Sequence, residues 1–201
     1  MTTAKDLFII AADPRHSVGQ GDLSLALAGA ELIDLVDAGA VALEGDRIVP
    51  VGPPTAPTRH DRLMDEAAGA LSRQPPHERV EDWLWRRGED LSAAYQAALE
   101  EDGELTRKRT GRSPFGSEHV EPVDTAAHRR TAARWQEKPV LAALASAVGI
   151  DDERSDDEPG LGDEAATTVV AAVHDAVMEL EAVRQRRSIE KAAFANLWRG
   201  P

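Results

Sequence analysis

The chain of 201 residues carries 36 acids against 23 Lys and Arg, a formal net charge of -13, and no Cys. That balance argues against bulk attraction to nucleic acid or anionic lipid but leaves room for a local basic patch. The lack of Cys excludes disulfides, thiolate nucleophiles and thiolate metal ligands. Aromatics are only 4% of residues and hydrophobics 42%, so aliphatic side chains and Ala must fill a core of ordinary size.

Residues 3–12 read as a short helix with Leu7, Ile10 and Ala11 on one side. A Pro- and Gly-containing loop, "DPRHSVGQG", leads to Asp22 as the expected N-cap of a helix over 23–37, with Gly39 as its C-terminal stop. From Leu23 to Val36 only Ser24, Glu31 and Asp34 are strongly polar. A helix so apolar on every face belongs at the centre of a bundle. With two acids and about 14 residues, it is too short and too polar to span a bilayer. "AVALEGDRIVPV" then predicts two short strands, 41–43 and 47–49, about the turn Glu44-Gly45-Asp46.

After the Pro-rich loop 52–58, "RHDRLMDEAAGALSR" places Leu63, Met64, Ala67 and Leu71 at helical spacing. "HERVEDWLWRR" aligns Val80, Trp83 and Leu84, and "EDLSAAYQAALEED" aligns Leu91, Ala94, Tyr95 and Ala98. Gly103 ends that helix, and "ELTRKRTGRSPFGSEHVEPV" predicts a second hairpin with a long basic turn. Helix followed by hairpin thus occurs twice. Asp124 is the expected N-cap of the next helix, and Pro139 opens a short apolar one. Residues 151–164 hold eight acids and one Arg, the composition of a solvated, flexible link. Residues 165–187 repeat Val169, Val173, Val177, Leu180 and Val183 as an amphipathic helix, with Arg184, Arg186 and Arg187 at its C-terminal dipole and a turn or two more through 189–198. The expected organisation is a helical domain with hairpins over 1–150, a link over 151–164, and a C-terminal helix over 165–201 packing on the same domain. The fold class is mainly α: a bundle around the buried central helix 23–37, with two small β-hairpins.

None of the six His lies in a zinc-protease or triad context, and no phosphate-binding loop or dinucleotide fingerprint occurs. His60 with Asp61 and Asp65 reads as a solvated first helical turn, and Asp124 with His128 as a helix-surface pair at i, i+4. The expectation is no enzyme, no metal and no cofactor. Trp83 is in phase with the core; Trp85 and Trp135 fit their stripes less well. The basic residues are more telling. From 105 to 136 there are seven, Arg107, Lys108, Arg109, Arg112, Arg129, Arg130 and Arg134, against three acids, a local balance of +4. Guanidinium groups beside a helix N-terminus suit a phosphate. The alternative is that they pair with the surplus of acids.

"LALAGAELIDLVDAGAVALEGDRIV", together with "DLFIIAAD", "PTRHDRLMDEAAGAL", "VEDWLWRR", and "AALEEDGELTRKR" followed by "EPVD", resembles in order the Golgi phosphoprotein 3 family over roughly 5–148. The resemblance implies a peripheral membrane protein that reads phosphatidylinositol 4-phosphate, binds tails of membrane enzymes and has no catalysis attributed to it. The family pocket has a Trp before the central helix and an Arg within it. Those positions are lost here, as Gly19 and Ala28, and "QEKP" stands where a hydrophobic membrane-inserting hairpin is expected. Arg129, Arg130 and Arg134 remain in the helix after the second hairpin, with Arg107 and Arg112 beside them in sequence. The implied function is anionic headgroup binding, phosphoinositide-like but with degraded specificity, on a cytoplasmic protein peripheral to the membrane. The alternatives are a cytoplasmic interaction or regulatory protein without lipid binding, and a winged-helix-like nucleic-acid binder. Against the last, helix 23–37 carries no Lys or Arg to neutralise phosphates, and no nucleic acid is expected as a partner.

Overall fold

In the computed structural model, residues 2–52, 61–109, 118–150, 161 and 163–197 are described. The elements in chain order are α1 (Thr3–Ala11), α2 (Gln20–Asp37), β1 (Val41–Glu44), β2 (Arg47–Pro50), α3 (Arg62–Ala70), α4 (Val80–Arg87), α5 (Leu91–Glu101), β3 (Leu105–Arg109), β4 (Glu118–Pro122), α6 (Ala126–Arg134), a 3-10 turn (Trp135–Glu137), α7 (Pro139–Ala147) and α8 (Glu164–Leu197). The fold is mainly α with two antiparallel hairpins.

The apolar helix is the hub. α2 packs against α1, α3, α4, α5, α7, α8 and strand β1. Leu25, Leu27, Leu32 and Leu35 are buried. Its three polar exceptions each hold a neighbour. Ser24 Oγ accepts the N–H of Ser92 at 3.0 Å, in the first turn of α5. Glu31 accepts from Arg87 and Tyr95. Asp34 accepts the N–H groups of Thr3 and Ala4 at 3.0 and 3.2 Å, satisfying donors at the start of α1 that no helical carbonyl can reach.

Both hairpins are reached by one device. Gly39, at φ 69°, lets the N–H of Ala40 return to Leu35 C=O at 3.0 Å, and that of Gly39 to Val36 at 2.9 Å. Gly103, at φ 70°, repeats this with Glu104 to Leu99 and Gly103 to Glu100. This double return is the Schellman stop, which favours glycine because the left-handed backbone is strained for other residues. Strand β1 pairs β2 from Val41↔Pro50 to Glu44↔Arg47; β3 pairs β4 from Leu105↔Pro122 to Arg109↔Glu118.

Several expectations need correction. Asp22 does not cap α2: Gly19 is the N-cap residue, and Asp22 sits in the first turn with both carboxylate oxygens 2.7 Å from Arg184 Nη1. Thr125, not Asp124, caps α6, its hydroxyl accepting the N–H of His128 at 3.1 Å. His128 is buried instead of forming a surface pair with Asp124. Asp61 is buried and pairs with Lys5 at 3.4 Å; His60 lies outside the described residues. The C-terminal helix runs on past residue 187 into the turns expected over 189–198. α8 runs unbroken for 34 residues, so Arg184, Arg186 and Arg187 are interior, not at its C-terminal dipole. No Gly or Pro interrupts 164–199, and Ala, Glu, Gln, Arg and Lys are good helix formers.

α8 packs on α2, α4 and α7 through Val169, Val173 and Ala176. It crosses α2 at Gly29, where an added Cβ would collide with Val173 Cγ2 and lie 3.4 Å from Val169 Cγ1. The acidic segment 151–160 lies outside the described residues.

Candidate anion-binding site

Four segments set the environment of the basic residues. Val123 follows β4; Thr125 caps α6; α6 leans on α1; and the turn Trp135–Glu137 leads directly into α7. Trp135 is buried and closes the end of α6, while Trp83 is core and Trp85 remains partly exposed. On its inner side α6 is pinned to α1. Thr131 Oγ1 donates to Asp6 Oδ1 at 3.1 Å, and Lys138 Nζ donates to Asp6 Oδ2 at 2.7 Å. With Asp6 and His128 occupying the inner face, the arginines are left on the outer one.

Arg129, Arg130 and Arg134 come together there. With Ala126 and Ala133 they line a recess of about 440 Å³. The guanidinium groups can approach a phosphate there as planar forks. The three are not equivalent. Arg129 Nη1 is 2.6 Å from Asp124 Oδ1, and Arg134 Nε is 3.5 Å from Glu137 Oε2. Among the described residues, no carboxylate pairs with Arg130. All three are exposed.

Arg107 is drawn elsewhere. Its Nη2 donates to Glu100 Oε2 at 2.8 Å, across from strand β3 to helix α5. That guanidinium holds the Glu100 carboxyl below the usual carboxylate range, with Gln96 assisting. Arg112 lies outside the described residues. Gly19 sits at the start of α2, where a Cβ would collide with the Asp22 carboxylate and come 3.4 Å from Arg184 Nη2. Ala28 is sealed in the core, its carbonyl accepting Trp83 Nε1–H at 3.0 Å. Neither position presents a side chain to the arginine recess.

Sequence reasoning missed His128 and Asp6 as the residues that seat α6. His128 Nδ1 is 2.6 Å from Val123 O, and Nε2 is 3.3 Å from Glu104 Oε2. The i, i+4 spacing to Asp124 hid this, because the true partners lie on the hairpin root. The Thr125-x-x-His128 spacing was the available signal for a cap.

The winged-helix reading fails on geometry. α2, the helix it would put in a DNA groove, is buried along most of its length. Among the described residues, no group of His, Asp and Glu is placed to hold a metal ion, and no helix is long and apolar enough to cross a membrane.

A helical bundle wrapped around one apolar helix, with a glycine-stopped hairpin after that helix and another after α5, defines a mainly α fold with an arginine face. Residues 4–189 match the model of the family Golgi phosphoprotein 3 (GPP34), and the chain belongs to that family. Comparison with curated proteins gives no match.

Proposed function

We propose that this chain is a non-enzymatic peripheral binding module for anionic lipid headgroups, acting from the cytoplasmic side, with the α6 recess as its site. The observation that carries the reading is the grouping of Arg129, Arg130 and Arg134 with Ala126 and Ala133 around one recess on a chain of net charge -13. Family membership supports a lipid-facing role. The resemblance adds the tail of a membrane protein as a further partner. With Gly19 and Ala28 in place of the family's Trp and Arg, little preference for phosphatidylinositol 4-phosphate over other anionic lipids is expected.

The test is co-sedimentation with vesicles rich in anionic lipid, comparing wild type with the Arg129→Ala, Arg130→Ala, Arg134→Ala variant after its fold is verified by circular dichroism. Each basic residue near an anionic surface contributes about 1 kcal/mol. The triple variant should therefore bind roughly 100-fold more weakly, and wild-type binding should fall with added salt. Equal sedimentation of the two proteins removes the recess from the site. No sedimentation of wild type at any lipid charge leaves the interaction-protein reading.

A further inference from the structure

The ring of His128 is 7% exposed and faces two acceptors, the Val123 carbonyl at 2.6 Å from Nδ1 and the Glu104 carboxylate at 3.3 Å from Nε2. A neutral imidazole has one N–H and one lone pair, so it can donate to only one of these and turns its lone pair on the other. An imidazolium donates to both. Val123 and Glu104 are the two sides of the root of the β3–β4 hairpin, joined by Val123 N–H to Glu104 C=O at 2.8 Å. His128 also precedes Arg129 and Arg130 in the first turn and a half of α6.

We propose that His128 is a pH-dependent clamp: protonated, it ties the start of α6 to the hairpin root and holds the arginine recess in its binding arrangement. The proposal rests on the reading of that recess as an anion site. Glu104 faces the ring from the hairpin root. On α6 itself Arg129 is turned to Asp124. On α1 Asp6 is engaged by Thr131 and Lys138. Protonation of the ring is what supplies the second donor, so the test compares two pH values. His128 and Glu104 are positioning residues: they act on the recess through the orientation of α6.

The experiment uses the full chain and phosphatidylcholine vesicles containing phosphatidylglycerol, whose phosphodiester does not titrate between about pH 6 and about pH 8. Wild type is expected to bind about fivefold more tightly at the lower pH, the scale of one partly solvated charge-assisted hydrogen bond. Glu104→Gln leaves the imidazole charge in place and removes its carboxylate partner. It should lose most of that ratio, as should His128→Gln. A bulk charge effect of the six histidines would survive in Glu104→Gln, so retention of the wild-type ratio there overturns the clamp. Amide exchange at Val123 gives a readout independent of lipid. After correction for the intrinsic rate, protection should be about fivefold greater at the lower pH in wild type and unchanged with pH in Glu104→Gln. Equal pH dependence in both proteins also overturns the clamp. Absent vesicle binding with the exchange difference intact overturns only the lipid reading of the recess.

Discussion

Glu31 and Arg87, 56 positions apart, meet in two parallel hydrogen bonds of 2.7 and 2.9 Å. The carboxylate is fully buried and also accepts from Tyr95 at 3.1 Å, while the guanidinium donates onward to Leu63 C=O at 3.1 Å. Four elements, α2, α4, α5 and α3, are thereby joined at one polar point inside an apolar bundle. Burial pushes the Glu31 carboxyl up, and Arg87 and Tyr95 oppose that only in part. The Tyr95 hydroxyl is itself driven strongly upward by burial.

Removing one partner strands the other. Arg87→Leu should destabilise the fold by about 3 kcal/mol, because the Glu31 carboxylate loses its counter-charge in the core. The double variant Glu31→Leu, Arg87→Leu should be more stable than Arg87→Leu alone. Urea unfolding of wild type, the two single variants and the double variant tests this, and a double variant that merely sums two large losses contradicts it.

Leu32 lies at the middle of α2 with no exposed surface. Leu32→Ala should cost roughly 2 to 5 kcal/mol through lost transfer energy and the cavity left behind. A change within about 0.5 kcal/mol, the range of ordinary surface substitutions, would mean that the hub collapses around the gap.

In the recess the ion pairs rank the arginines. Among the described residues Arg130 has no carboxylate to release, so Arg130→Ala should weaken vesicle binding more than Arg129→Ala, by about fivefold. Asp124→Asn frees Arg129 and removes a like charge to the ligand, and should strengthen binding about two- to fivefold. Co-sedimentation at one fixed salt concentration reads both; weaker binding by Asp124→Asn contradicts the ranking.

Stability should peak at mildly acidic pH. Burial raises the carboxyls of Asp34 and Glu31, and burial with the charge of Asp163 raises that of Asp37. A carboxyl raised by folding adds stability that is complete below its ordinary value near about 4 and lost as pH rises through the folded value. Asp13, Asp46 and Glu100 are lowered, by Arg15, Arg79 and Arg107 respectively, and contribute in the opposite sense: their stability is present above the ordinary value and lost as pH falls through the folded one. The melting midpoint should therefore fall as pH rises above the ordinary carboxylate range and should also fall as pH drops below about 4. Asp34→Asn should flatten the alkaline limb. Calorimetry across that range is the check, and an unchanged limb would assign it to net charge instead.

What the sequence made legible was periodicity and punctuation. The apolar helix, the turn glycines and the stripes of α3, α4 and α5 are local signals, and each element forms within a few residues of its expected bounds. Pairing across the fold was not legible. Ser24, Glu31 and Asp34 stood out as polar exceptions, but Ser92, Arg87 and Thr3 could not be named as their partners, since nothing local joins residues that far apart. The same limit applied at the site. The α6 arginines were found by charge density, whereas Asp6 and His128, which seat them, looked like ordinary helix residues. Arg184 was read as a dipole contact, yet the helix runs well past it and its partner is Asp22, 162 positions away.

Gly29 makes the crossing of α2 and α8 a keyed joint, in which residue 29 and residue 173 occupy one shared volume. Whatever one position gains, the other must give up. Gly29→Ala alone should wedge α8 outward, and Val173→Ala alone should leave a gap. The pair made together returns much of the room that each change disturbs and lets the two helices close again.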